Sequence, residues 1–468
     1  MNFNKHVWGV CFISVFIIFM VCSVTAFAQF KTEEIRALTT WSYTYGNYDY
    51  NVAHSIKPTS DGGYIVAGPT RAYGSGEYDF WILKLNVMGG IEWQKAIGGY
   101  SDEYTYNIEQ TKDGGYVMIG CYASNNKGGY YDVWVIKLDA GGNIEWQKAY
   151  GSANTDYGWE IHQLVDEGYI LAGKYGTVNC LNCKVLVIRL DSNGEIIWQK
   201  IMANAIWNEN VCVQKIKRGN YLVTGNVNTV GSGGFDIWLA ELDSNGNIIW
   251  QKAYGGPSDD FVYIVRESLE GGYLLVGKTK SFGAGDFDAF VMKLDENGNI
   301  MWQKTYGGSA YERGWILEQL NPRFGEDCHG YILGGDTYSF GTGYSDMWIL
   351  KLDGNGNIIW QKSYGGAGYD GLLSLNQAKD GGYIVSGWTI SFGAGFYDYW
   401  VLKLNQYGTL ETPCEYIKDT NIIPANAQFI AVDTYFTAMT SDLTVQVTYH
   451  PAIDTPAIPS AVCGWVAR

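Results

Sequence analysis

Histidine is scarce in this chain, with five among 468 residues, and one of them, His6, stands in the opening apolar segment. That leaves little from which to build a His-rich metal site or a Ser-His-Asp arrangement. No two cysteines are adjacent, and Cys328-His329 lacks the second cysteine of a CxxCH motif, which excludes covalently attached haem. Basic side chains are outnumbered, 32 Lys and Arg against 48 Asp and Glu, for a formal charge of −16. A chain this acidic repels phosphate backbones and anionic headgroups, so nucleic acid and lipid surfaces are excluded as partners. No apolar run of membrane-spanning length follows residue 28. Acidic residues are plentiful, yet no two stand out as the carboxylate pair of a retaining or inverting glycosidase.

Residues 1–28 contain one charged side chain, Lys5, then an apolar run from Val7 to Val24, then Ala26-Phe27-Ala28. This is the layout of a secretory signal peptide cut before Gln29, with a retained anchor as the alternative. Large residues, Phe19, Met20 and Val21, precede Cys22, so no lipoprotein site is formed. The expected location is outside the cell or on its surface, with the periplasm as the alternative, and no membrane span survives cleavage. Cys121, Cys180, Cys183, Cys212, Cys328, Cys414 and Cys463 remain. Export makes disulfides the default, and the odd count leaves at least one thiol over.

What the chain has in abundance is a repeat. Tryptophan recurs at Trp41, Trp93, Trp146, Trp198, Trp250, Trp302 and Trp360, spaced by 52, 53, 52, 52, 52 and 58 residues. A period near fifty points to a propeller, solenoid or array. A turn followed by Tyr and an apolar strand returns in each unit, from DGGYIVAG at Asp61 to DGGYIVSG at Asp380. A strand ending in a basic residue and Leu comes next, as at Lys84-Leu85 and Lys403-Leu404, with Glu241-Leu242 the one departure. Asp-Gly and Asn-Gly pairs such as Asp61-Gly62 and Asn245-Gly246 predict type I′ hairpins. Each unit then reads as four antiparallel strands, which is the blade of a propeller. The last unit lacks its outer tryptophan strand, and TTWSYTYG around Trp41 supplies one. The expectation is an all-β, seven-bladed propeller over residues 29–412, closed by the N-terminal strand, with a β-hairpin tail over 413–468.

From Trp41 to about Leu410 the motif KLDxNGNIxWQKxYGG followed by DGGYIVxG resembles the DGGY-type repeat propellers of secreted bacterial and archaeal proteins. The stretch LDSNGNIIW, Leu242 to Trp250, is similar to the tryptophan-docking motif of quinoprotein-type propellers, where Asp, Gly and Trp lock one blade to the next. It departs by one residue between Asp and Gly. Quinoprotein dehydrogenases of that kind carry vicinal cysteines beside the cofactor and usually eight blades, so pyrroloquinoline quinone is not expected.

Candidate sites follow from the repeat and from its breaks. Aspartate closes the loop between second and third strands at Asp79, Asp132, Asp236, Asp288, Asp346 and Asp398. Such a ring reads as a crown for a cation or polyhydroxyl ligand, or as caps that each bond their own turn; repetition with the fold favours caps. Counting back from the DGG turn gives an inner-strand column of His54, Tyr106, Trp159, Val211, Tyr263, Trp315 and Leu373. These residues either line a central channel and stack on sugars or pack between blades. Blade three has Lys184 in place of the loop aspartate, and its following link reads IMANAIWNENV. Cys121, Cys180, Cys183 and Cys212 fall toward one face over three neighbouring blades, as two disulfides or a four-cysteine zinc site. Trp207, Asn208 and Glu209 lie beside them and, with Lys184, are the ligand-binding candidates. Cys414 and Cys463 bracket the tail and are expected to pair.

The functional expectation is a non-catalytic propeller that binds a glycan or a protein partner through the loop face of blades two to four. A secreted carbohydrate-active enzyme with acidic residues in the channel is the alternative, and a structural surface or assembly protein is a third. Calcium or zinc are the conceivable ions, and self-association through the tail is the conceivable assembly.

Overall fold

The computed structural model describes residues 40–468 apart from 124–130, 177–182, 204–210, 229–232, 322–329, 423–424, 427–429, 434–443, 448–451, 455–459 and 464–468. The expected signal segment 1–28, Cys180, Trp207, Asn208, Glu209 and Cys328 therefore lie outside the described residues.

Blade one translates the repeat into a sheet. Its strands are Ser55–Pro58, Tyr64–Thr70, Asp79–Leu85 and Ile91–Ile97, each antiparallel to the next. The same order recurs over 103–151, 155–202, 212–255, 260–306 and 312–364. Blade seven takes three strands from Asp370–Gln377, Tyr383–Thr389 and Asp398–Leu404. Its outer strand is Trp41–Tyr45, with Trp41 opposite Lys403 and Tyr45 opposite Tyr399. The protein is an all-β, seven-bladed propeller closed by its own N-terminal strand.

The hairpin turns differ from the expected type I′. Of Asn245 and Gly246 only the glycine has positive φ, 79°. The Gly246 N–H donates to the Asp243 carbonyl at 3.0 Å and the Asp243 N–H to the Asn247 carbonyl at 2.9 Å. This is a type I turn closed by a left-handed glycine, with the register shift of a bulge between Glu241 and Leu242. The Asp243 carboxylate accepts the N–H groups of Asn245 and Asn247 at 2.8 and 2.9 Å. Those bonds favour the longer loop over a two-residue turn.

The same glycine joins adjacent blades. A Cβ at Gly246 would lie 2.9 Å from the Trp198 ring of the preceding blade, and Trp198 Nε1–H donates to the Ser244 carbonyl at 3.0 Å. Trp41 packs against Gly89 in the same manner, donating to the Val87 carbonyl at 3.0 Å. The closing junction is therefore built like the others. Between the blades the third strands are buried on both faces, and Trp81, Trp134, Trp238, Trp348 and Trp400 are among the largest fully buried side chains.

Among the described residues, the tail strands pair with the blades rather than with one another as a hairpin. Ile417–Asp419 pairs with the outer strand of blade six, Ala425–Asn426 with blade five and Ile430–Asp433 with blade four. Thr444–Val447 then pairs with blade two, Ala452–Asp454 with blade one and Ser460–Cys463 with Trp41–Tyr45 of blade seven. The chain thus runs backward round the rim. A lone hairpin would leave its own edges and those of the blades unpaired, whereas short segments laid on the rim satisfy both. Among the described residues, no tail strand pairs with Ile196–Met202 of blade three.

Candidate functional site

In five inner strands the register slips at one point, at Thr105/Asn107, Gly158/Glu160, Val262/Ile264, Gly314/Ile316 and Leu372/Ser374. The residues passed over are Tyr106, Trp159, Tyr263, Trp315 and Leu373. Each is the extra residue of a β-bulge, which re-aims a side chain out of the strand's alternation. His54 and Val211 precede the inner strands of blades one and four at the same count from the turn. All seven column residues line one cavity of about 330 Å³ on the propeller axis, together with Lys57, Glu160, Arg266 and Arg313.

Aromatic faces and polar groups share this cavity. The Tyr106 and Trp159 rings lie 4.1 Å apart, His54 stacks on Tyr106 at 5.2 Å, and Tyr263 meets Trp315 at 4.2 Å. The Arg313 guanidinium sits 4.5 Å above the Trp315 ring and is held by Asp336 at 2.8 Å. His54 Nδ1 is 2.7 Å from the Thr105 carbonyl. That oxygen only accepts, so Nδ1 carries the proton and Nε2 the lone pair. Burial pushes His54 down to about 4, leaving it neutral at pH 7. The Trp159 indole N–H and the Asn107 side-chain oxygen, both in the cavity wall, have no hydrogen-bond partner in the protein.

Three residues further along each inner strand lies a second, charged ring. It bounds a cavity of about 360 Å³ that includes Lys57, His162, Gln214, Arg266, Glu318 and Asn376. His162 stands between Glu109 at 3.1 Å and Glu160 at 3.0 Å. Burial disfavours its charge, but the two carboxylates outweigh burial and push it up to about 9. Glu160 is likewise buried, yet His162 and Arg266 hold it well below the usual carboxylate range. Arg266 reaches Glu160 at 3.4 Å and Glu318 at 3.7 Å.

Cys121 and Cys212 are free and buried, so neither enters the expected disulfides, and Cys180 of the expected cluster lies outside the described residues. Cys121 lies within the second strand of blade two, between Tyr104 and Val133. Cys212 opens the inner strand of blade four, its sulfur 3.8 Å from Arg266. Cys212 is thus on a strand as expected, Cys121 is on a strand rather than opening a loop, and blade three lies between their sheets. Cys183 and Cys414 are disulfide-bonded, while the side chains of Cys180 and Cys463 are not among those described. Lys184, half-buried, begins the third strand of blade three opposite Tyr175. Among the described residues no three His, Cys, Asp or Glu side chains gather as metal ligands.

The loop aspartates are 1 or 2 % exposed wherever their burial is resolved, including Asp79, Asp132, Asp236, Asp288, Asp346 and Asp398, so they form no open crown. Asp79 Oδ2 accepts the Ser75 and Gly76 N–H groups at 3.0 and 3.2 Å, and Asp288 Oδ2 those of Ala284 and Gly285 at 2.8 and 3.1 Å. Sequence reasoning missed the rings just outside this layer. Tyr78, Tyr104, Tyr131 and Tyr157 form a continuous collar, with centroids 4.8, 6.1 and 5.3 Å apart. Their signal was the aromatic residue immediately before five of the six loop aspartates, as in Tyr78-Asp79, Tyr131-Asp132 and Phe235-Asp236, and the aromatic after the acid that opens the next inner strand, as in Glu103-Tyr104 and Asp156-Tyr157.

No family model and no curated protein matches the chain. Among solved structures it is similar to the polysaccharide lyase Uly1, at 11 % identity and TM-score 0.45 over 77 % of this chain and 92 % of that one. It is also similar to a eukaryotic initiation factor, at 10 % identity and TM-score 0.37 over 84 % and 98 % of the two chains. The S. cerevisiae core factor aligns at 11 % identity and TM-score 0.37 over 77 % and 58 %. At these scores the likenesses bear on neither ligand nor chemistry.

Proposed function

We propose that this chain is a non-catalytic binding propeller, working outside the cytoplasm, that holds a saccharide in its central channel. One observation carries this reading: bulges at a single register turn Tyr106, Trp159, Tyr263 and Trp315 into one cavity with polar groups at its wall. A sugar offers C–H faces to such rings and hydroxyls to their edges. His54 Nε2 and the Asn107 oxygen accept hydroxyl protons, and the Trp159 N–H and Lys57 donate. At about 330 Å³ the cavity lies at the small end of ligand pockets, which run to roughly 1,000 Å³, and suits one or two sugar rings.

Binding is favoured over hydrolysis by the state of the channel carboxylates. A glycosidase needs one carboxyl that keeps its proton at working pH. Glu160 is held ionised by His162 and Arg266, while Glu109 and Glu318 are engaged with those same cations.

Saturation-transfer NMR with glucose, galactose, N-acetylglucosamine and cellobiose tests the proposal. Transfer to at least one sugar in the wild type, lost in Trp159→Ala/Trp315→Ala while the melting temperature stays within a few degrees, is the expected result. No transfer to any of the four, or transfer indifferent to both substitutions, overturns it.

A further inference from the structure

We infer that four blade junctions each hold one proton between two buried carboxyl groups, so that closing the ring takes up protons which the unfolded chain has released. The pairs are Asp79 with Glu103, Asp236 with Asp260, Asp288 with Glu312 and Asp346 with Asp370. In each, the first acid opens a third strand and the second opens the inner strand of the next blade.

Backbone bonds force the two side chains together. The N–H of Glu103 donates to the Tyr78 carbonyl at 2.8 Å, and those of Asp260, Glu312 and Asp370 to Phe235, Phe287 and Ser345 at 2.7, 2.7 and 2.8 Å. Each acceptor immediately precedes the first acid. A glycine from the intervening link makes the room: a Cβ on Gly98 would collide with both Asp79 Oδ1 and Glu103 Oε2, and one on Gly365 with both Asp346 Oδ1 and Asp370 Oδ2. All eight acids are at most 1 % exposed.

The division of labour is clearest in the fourth pair, whereas in the first both Asp79 Oδ1 and Glu103 Oε1 are buried without a donor. Asp370 accepts the Gly366 N–H at 2.8 Å, the Ser391 hydroxyl at 2.7 Å and the Thr389 hydroxyl, which suits an ionised carboxylate. Its partner Asp346 accepts only the Thr342 N–H, at 2.7 Å through Oδ2. The Oδ1 atoms of Asp79, Asp236 and Asp346 are buried with no donor at all. A buried carboxylate oxygen in that position is costly, and a proton on it becomes a donor to the neighbouring acid.

Among the described residues, no cation acts on Asp79, Glu103, Asp236, Asp288 or Asp346. Asp102, the Cys121 thiol and the phenols of Tyr122 and Tyr131 bear on the first pair, and Asp259 on the second. On the third and fourth only the partner acid acts. Burial pushes Asp79 and Asp288 up to about 6, Asp236 and Asp346 to about 7, and Glu103 to about 8. At the closing junction Asn51 stands in place of the second acid; its amide donates to the Asp49 and Tyr397 carbonyls at 3.0 and 3.2 Å, and burial raises Asp398 there as well. Among the described residues, no third His, Cys, Asp or Glu is placed with any of these pairs to hold a metal ion.

Carboxyls with raised folded-state pKa stabilise the fold fully only below their unfolded values near 4, and that stability is lost as pH rises through 6 to 8. The test is urea unfolding of the full chain between pH 4.5 and 6.5, below the range where His162 titrates; the buried, neutral His54 adds an opposite slope in this window to wild type and variant alike, so the difference between their slopes is the readout. The folding constant of the wild type is expected to fall by up to tenfold per pH unit for each junction still protonated. In Asp236→Asn/Asp346→Asn, whose amides imitate the protonated form, the slope should drop by up to a hundredfold per unit. An unchanged slope overturns the proposal, as does a midpoint raised by calcium and lowered by EDTA at fixed pH, which would assign the pairs to a cation. Should the variant not fold, infrared spectra of the wild type at pH 5.5 decide. A protonated-carboxyl band in the folded chain that vanishes in urea is expected, and its absence overturns the proposal.

Discussion

Arg218 and Glu241 form an ion pair whose charges are exchanged relative to the other blades. Arg218 stands where blades one, two, three and seven have Asp61, Asp113, Asp166 and Asp380, and Glu241 where they have Lys84, Lys137, Arg189 and Lys403. Arg218 Nε donates to Glu241 Oε1 at 2.8 Å, and the Trp250 indole N–H donates to Oε2 at 2.8 Å. The one departure from the basic-Leu pattern is therefore compensated across the hairpin.

Glu241→Lys alone would bury a cation against Arg218, since Glu241 is 1 % exposed. A loss on the order of 2–3 kcal/mol is expected, below that of a wholly buried pair because Arg218 is partly in solvent. Adding Arg218→Asp restores the arrangement of the other blades and should recover most of it. Urea unfolding of both variants checks this, and a double variant no better than the single one refutes it.

Gly246→Ala tests the junction device. Its φ of 79° and the Trp198 ring 2.9 Å from the would-be Cβ both oppose a side chain. A loss of about 1–2 kcal/mol is expected from the backbone alone. In combination with Trp198→Ala the cost should be less than the sum, because the ring contact is already gone. Strict additivity in thermal unfolding would argue against docking.

His162 gives a second pH effect in a higher window. Its folded-state pKa of about 9 lies above the ordinary 6.5, so its contribution is complete below 6.5 and lost as pH rises to 9. His162→Gln should remove up to a tenfold-per-unit fall in the folding constant across that window and leave the region below pH 6 parallel to the wild type. Parallel curves between 6.5 and 9 would show that the imidazole is neutral in the fold.

Removing residues 413–468 strips the added strand from six blades. Exposed sheet edges pair with one another, so the truncated chain should self-associate in light scattering while the full chain does not. An unchanged mass would mean that the outer strands tolerate solvent without the belt.

The ring of blades could be read in advance because tryptophan spacing, turn glycines and the basic-Leu strand repeat together, and each has a local physical cause. The type of turn could not, since it depends on the Asp243 carboxylate reaching Asn245 and Asn247 rather than on the Asn-Gly pair. Alternation in the tail encodes strands but not partners, because a sheet edge binds backbone without regard to side chain. The channel column could be counted back from the DGG turn, whereas the bulge that turns Trp159 and Trp315 inward has no sequence mark of its own. Cys121 was expected to open the blade-two loop and instead lies within a strand, whereas Cys212 begins the blade-four inner strand as expected.

The most direct measurement is a crystal structure of the full chain soaked with whichever of the four sugars gives the strongest saturation transfer. Sugar density in the axial cavity, with a ring face on Trp159 or Trp315 and hydroxyls on Asn107 and His54, is the expected result. Water alone in that cavity, with the sugar seated on the loop face of blades two to four, would contradict a channel site.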